Sequence, residues 1–379
     1  MSEYQYYEFL AIDRRLTAND QAELRSLSSR AEVTVSRAVY TYSYSDFPAD
    51  PRVVLEKYFD ALLYITNWGT RLLIFKFPRE LFIEDDVSEF VNNEQIGFGL
   101  SEDGKHAFLE LDFSEDGYEG WVDEDDYNLA DYAEVRNEIL KGDYRSLYIA
   151  WLATIQGYEI MSDDEDDFGP PVPAGLKSLT LAQIKFQEFL ESDQDLLEAA
   201  SQNSRPPDLK RYSDTSIALM ADEEKDAFLK RLSGNETHLS VKLNRRLAEL
   251  AGSSSESATT QSSSIAELLR TAKQIEVARL EKEQKERLAE KIKALKSLSL
   301  RRDDEWKEVI ELIEKKHGTA YGQAVKKLVA LKELAEFENR QDEFLRKMSQ
   351  LMSQYSNRPA LMNRFHKANL KSGQGPLYN

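Results

Sequence analysis

The chain has 379 residues, of which 41% are apolar and 31% charged, with a formal net charge of −19 and no cysteine. That length predicts two or three domains with at least one sizeable core. The lack of Cys excludes a disulfide framework and any thiolate-held metal. The charge is split: residues 1–176 hold 37 Asp/Glu against 14 Lys/Arg, a net of −23, whereas residues 177–379 hold 31 against 35, a net of +4.

The opening residues, MSEYQYYEFLAIDR, lack the basic-then-apolar pattern of a signal peptide. Residues 4–12 (YQYYEFLAI) are aromatic and β-branched and predict a strand. Thr17 is a good N-cap for a helix that places Asp20 in its first turn and Leu24 and Leu27 on one face. A strand is expected from Glu32 to Tyr44. Asp50-Pro51 then opens a helix whose apolar residues, in RVVLEKYFDALLYI, recur at helical spacing. Residues 71–77 (RLLIFKF) read as a buried strand ended by Pro78. The stretch 61–77 is broken by Asn67, Gly69, Arg71 and Lys76, too short and too polar to span a bilayer. Within it, Asn67-Trp68-Gly69-Thr70 reads as a packed core Trp beside a Gly turn in preference to the lining of a ligand cleft.

The order β-α-β-α-β to residue 78 is followed by a small antiparallel meander. Its expected strands are 95–100, 106–113 and 118–122, separated by two copies of Ser-Glu-Asp-Gly, at 101–104 and 114–117. Asp-Gly is a strong hairpin signal. Helices over 129–140 and 144–156 complete the expectation of an acidic α+β domain with a mixed sheet over 1–160. Between Glu80 and Asp131 there are 18 acidic residues and one basic one, Lys105. A solvated acidic surface is the simplest account. A calcium loop is another, since Asp112, Ser114, Asp116, Gly117, Tyr118, Gly120 and Asp123 fall at EF-hand positions; against it stand an Asp at position 12, Glu119 at position 8 and strand-like flanks. A third is mimicry of a phosphate backbone that would occupy a basic partner.

Residues 161–176, with an acidic run and three prolines, predict an exposed connector. A small helical region over 177–250 follows, with helices at 179–190, 193–200, 222–232 and 241–250. GSSSESATTQSSS makes 251–264 the clearest linker. Residues 265–298 predict one helix of about 50 Å, apolar at heptad-like steps near both ends but not over 281–287. It is a candidate coiled coil or an arm packed only at its ends. Between Arg270 and Arg302 it carries 11 Lys/Arg against five Glu without an interleaved aromatic, so direct nucleic-acid contact is confined to this 270–302 basic helix and lacks base stacking. Apolar faces at 306–313, 320–335 and 344–352 predict helical-repeat-like hairpins within an all-α 265–370 domain, and 371–379 a frayed tail.

The segments YEFLAIDRRLT, YFDALLYITNWGTRLLIFKFPR, GDYRSLYIAWL and PPVPAGL, with AYGQAVKKLVALKELAE and NRPALMNRFHKANL near the end, resemble an uncharacterised bacterial protein family. The resemblance spans nearly the whole chain. It implies association with SWIM-type zinc-finger proteins and an accessory role, and it carries no catalytic residues. Where relatives often have Pro after Asp-Arg, this chain has Arg15.

The chemistry-bearing inventory is sparse. His106, His238, His317 and His366 are far apart in sequence, Gly97-x-Gly99 lacks the third glycine of a dinucleotide fingerprint, and there is no Gly-x-Ser-x-Gly elbow and no P-loop. No catalytic, cofactor-binding or metal-ligating residue is assigned, and no cofactor is expected. The expectation is a cytoplasmic, non-enzymatic interaction or scaffold protein: an accessory subunit of a bacterial complex of the nucleic-acid-processing or defence kind. Its partners would be proteins, with nucleic acid met indirectly or through 270–302, no membrane, and homo-oligomerisation open. The alternatives are an acidic nucleic-acid mimic and a divalent-metal-dependent hydrolase using the 112–126 carboxylates.

Overall fold

The computed structural model describes residues 3–91, 94–114, 127–157, 167–207, 217–251 and 262–370. Its contacts define two compact units, Met1–Glu276 and Val277–Asn379. An α+β layout followed by an all-helical region is observed.

The N-terminal unit is built on a seven-stranded sheet of β1 (Tyr4–Leu10), β2 (Glu32–Val33), β3 (Arg37–Ser43), β4 (Ala61–Thr66), β5 (Arg71–Pro78), β6 (Ile96–Leu100) and β7 (His106–Asp112). The spatial order is β2-β3-β1-β4-β5-β7-β6 and every described pairing is antiparallel, so the mixed sheet expected from the sequence gives way to a purely antiparallel one. The expected helix over 52–65 is the reason. It ends early: α2 is Pro51–Tyr58, capped by Asp50, and Phe59 leaves it with extended backbone (φ −128°, ψ 174°). ALLYIT then becomes β4, pairing with β1 and β5. Every residue of that run but Tyr64 is buried, and a continuously apolar run satisfies helical and strand periods alike, so long-range pairing decides. The strand expected over 32–44 likewise folds back on itself: Thr34 N donates to Arg37 O at 2.8 Å, and β2 pairs with β3.

Both faces of the sheet are covered. On one, Tyr7, Phe9, Tyr40, Tyr42 and Leu62 meet Leu24 of α1 (Ala18–Ser26) and Val54, Leu55 and Tyr58 of α2. The α1 start is the expected one: Thr17 and Asp20 form a reciprocal capping box. On the other face, Leu63, Leu73, Phe75, Leu109 and Leu111 meet α3 (Ala133–Leu140), α4 (Arg145–Ile155), α5 (Leu181–Leu190) and α6 (Gln194–Gln202). Leu268 and Ala272 of the helix Ile265–Leu300 join this second core. The third meander strand expected at 118–122 lies outside the described residues.

Two expectations about linkers are revised. Residues 167–176 are not simply exposed: Phe168–Pro171 pairs antiparallel with Ser262–Ser264, Val172 and Leu176 are buried, and a Cβ at Gly169 would lie 2.3 Å from Trp151. The boundary between compact units falls at Glu276, within the long helix, and not in the serine-rich stretch. Across 277–291 of that helix every residue is exposed.

The C-terminal unit packs the end of this helix, at Leu295 and Leu298, with helices Arg302–Glu314, Gly318–Phe337, Gln341–Gln354 and Pro359–Lys367. Gly318–Phe337 packs against each of the other three, the stacking expected of helical hairpins. Val309, Ile313, Ala324, Leu328, Met348, Leu361 and Phe365 are buried at its centre. Arg358 Nη1 donates to Ile313 O at 2.7 Å, satisfying a carbonyl at the end of its helix.

Candidate functional site

The acidic stretch 80–131 splits in the structure. Residues 115–126 lie outside the described residues, and with them most of the EF-hand pattern and of the 112–126 cluster; of the pattern only Asp112 and Ser114 are placed, Ser114 N donating to Asp112 Oδ1 at 3.1 Å. Several of the other carboxylates are engaged locally: Glu84 with Arg79, Glu110 with Arg52, Glu80 with Lys242, and Asp86 accepting from the Tyr144 hydroxyl. Trp68 is 40% exposed, so it is not the core residue expected, although Gly69 does supply a left-handed turn (φ 106°).

The arrangement with most chemical potential was not legible in sequence. Glu56, in the last turn of α2, meets Asp103 of the β6–β7 turn and His106, the first residue of β7, and one ligand atom from each lies within 4.8 Å of the others. The turn that positions the latter two is tightly built. Gly104 adopts φ 68°, Gly104 N donates to Ser101 O at 2.9 Å, and Asp103 Oδ1 accepts from Ser101 Oγ (2.8 Å) and Lys105 N (3.0 Å). Lys105 Nζ reaches Asp103 Oδ2 at 2.8 Å, and this hydrogen bond, with that from Lys105 N, holds the carboxyl far below its usual range. Burial lowers the His106 pKa, and the Lys76 charge adds to the effect, which keeps the imidazole neutral near pH 7. Its Nδ1 is buried without a hydrogen-bond partner.

Beside it runs a network of buried charge. Lys76 Nζ donates to Glu56 O at 3.1 Å, at the end of α2, and lies 3.4 Å from Asp60 Oδ1. Burial lowers the Lys76 pKa and Asp60 opposes that shift. Asp60 Oδ2 accepts from Ile12 N and Asp13 N at 2.7 and 2.9 Å. Asp13 in turn takes a two-pronged contact from Arg136, at 2.8 and 2.7 Å. Arg136 is fully buried and also donates from Nε to Lys76 O at 2.6 Å. His238 Nε2 lies 2.9 Å from Asp13 Oδ1, at ion-pair distance but off the line of a hydrogen bond. Burial would raise the Asp13 pKa; the contacts of His238 and Arg136 outweigh it and hold the carboxyl well below its usual range. These bonds tie together segments more than a hundred residues apart, and each charge has a partner, so the network reads as structural.

Of the sequence-flagged histidines, His317 caps its own helix, accepting from Ala320 N at 3.3 Å, and His106 and His238 join the two clusters just described. Among the described residues no helix is long and apolar enough to cross a membrane. Comparison of the chain with protein-family models, with curated proteins and with solved structures finds no match.

Proposed function

We propose that this protein is a non-enzymatic interaction protein, an accessory subunit of a cytoplasmic bacterial complex, working through two surfaces of opposite charge. The observation that carries the reading is the coincidence of charge with compact units. Residues 277–379 hold 22 Lys/Arg against 15 Asp/Glu, a net of +7, which leaves −26 of the total −19 on residues 1–276. Fields of that size steer oppositely charged partners and act before contact. The resemblance to a family associated with SWIM-type zinc-finger proteins suggests partners that themselves handle nucleic acid. The buried ionisable groups support the same reading, because Asp13, Arg136, Asp60 and Lys76 are consumed in holding the fold together.

The test is purification of the tagged full chain from its native host at low and high salt, with mass spectrometry of what co-elutes. A stoichiometric protein partner is expected, retained at 50 mM and shed near 500 mM salt. A lone monomer under both conditions, or turnover of a substrate by the pure chain, would overturn the proposal.

A further inference from the structure

We infer that Glu56, Asp103 and His106 form a divalent-metal site of the zinc class, joining the end of α2 to the β6–β7 turn. This goes beyond the interaction role and does not depend on it. Three ligand atoms, one imidazole nitrogen and two carboxylate oxygens, lie within 4.8 Å of one another. Both supports are rigid. Asp103 is fixed through Oδ1 by Ser101 Oγ and Lys105 N, so Oδ2 is the oxygen offered to a ligand. Glu56 sits on a helix whose C-terminal carbonyls at Leu55 and Glu56 are held by Lys76.

A second observation is independent of the carboxylates. His106 Nδ1 is shut away from water and has no hydrogen-bond partner, a costly state for an imidazole nitrogen. Coordination at that atom would give it one. The donor set selects the ion: a ring nitrogen suits zinc and its neighbours in the transition series, whereas calcium and magnesium take oxygen alone. Three protein donors leave a fourth, water-filled position in a tetrahedral shell. The nearby Lys76 charge does not preclude a cation, because Asp60 lies 3.4 Å from its Nζ and balances it. The competitor is Lys105, whose Nζ occupies Asp103 Oδ2 and would have to swing outward, which its exposed position allows.

The experiment is calorimetric titration of the metal-free full chain with ZnCl₂, paired with melting curves and with MgCl₂ and CaCl₂ as controls. One zinc per chain and a raised Tm are expected. Binding should weaken at least ten-fold in Glu56→Gln and again in His106→Gln, and Lys105→Ala should bind at least as tightly as the parent. Glu56 is only half-buried, so Glu56→Gln remains informative even where His106→Gln folds poorly. Absence of binding by the parent chain, or affinity unchanged in both variants because zinc resides at another histidine, would refute the site.

Discussion

The two compact units solve the problem of a stable interior differently. Every buried polar or charged side chain among the described residues lies in 1–276, including Glu8, Asp60, Lys76, Arg136 and Glu138, whereas the interior of 277–370 is aliphatic and aromatic. A polar interior ties remote segments by directed bonds, each depending on one partner and on its protonation state. An apolar one depends on volume, and any neighbour of the right size contributes. The N-terminal unit is thus expected to fail at single residues and in acid, and the C-terminal unit to fail chiefly where packing volume is lost.

The sharpest way to break the comparison is Arg136→Met. It strands the Asp13 carboxylate and leaves Lys76 O without its donor. Removing one member of a buried pair costs about 3–5 kcal/mol. Hydrogen exchange resolved by peptide should show protection lost across the sheet and kept over 302–367. A loss below about 1 kcal/mol would mean that packing alone holds this end of the sheet. The counterpart in the other unit is Phe365→Ala, at about 3 kcal/mol, with exchange confined to the C-terminal helices. Phe365→Leu should recover most of that loss, as volume-based packing requires.

Acid separates the units on a smaller scale. The folded-state pKa of Asp13 is depressed, so its contribution is fully present above the unfolded carboxyl value and is lost as pH falls through the folded value. The denaturation midpoint of the N-terminal unit should therefore decline from about pH 4 downward. Asp13→Asn should flatten that decline while lowering stability at pH 7. In the C-terminal unit hydrogen bonds from Ser299 and Arg302 likewise hold Glu338 below its usual range, and those from Tyr355 and Arg358 hold Glu314 so. Both lie outside the apolar core, and the midpoint of this unit should fall less over the same range. A parallel fall in both would show that the distinction between interiors does not govern acid stability. Smaller again is Thr17→Ala, which removes the hydroxyl that accepts from Asp20 N but not the backbone N–H that donates to Asp20 Oδ2, and should cost about 1 kcal/mol, read as a shift in denaturant midpoint at unchanged slope.

Local signals in the sequence survived where they were self-sufficient. The Thr17 cap, the Asp50-Pro51 start, the Asp103-Gly104 turn and the buried helix over 145–155 all stand where turn chemistry or periodicity placed them. What could not be read depends on pairing between distant residues. ALLYIT is a strand because β1 and β5 flank it, and Ser262–Ser264, a poor strand sequence, pairs because Phe168–Pro171 lies alongside. The meeting of Glu56 with His106 needed the β5-β7-β6 order, since nothing within 50 residues of sequence links them except that topology. Arg136 gave no cue at all, because a single Arg on an amphipathic helix reads as surface until its partner is known.

The smallest expected effect of a side-chain change falls on the ion pairs of the exposed stretch 277–291, which belongs to neither kind of interior. Arg279–Glu283, Glu281–Lys285 and Lys282–Glu286 stand at i,i+4 spacing, at 3.0, 3.5 and 3.9 Å. Exposed pairs of this kind contribute about 0.3–0.5 kcal/mol each and are screened by salt. Lys285→Ala should thus change stability by less than about 0.5 kcal/mol. Ala289→Gly, which opposes helix formation directly, should cost about 1 kcal/mol. Val277, Leu280 and Leu288 are exposed along the same stretch. If a partner covers them in the assembled complex, Leu288→Ala will leave the isolated chain's melting curve unchanged and weaken co-purification. Equal retention of the partner by that variant would move the contact surface elsewhere on the chain.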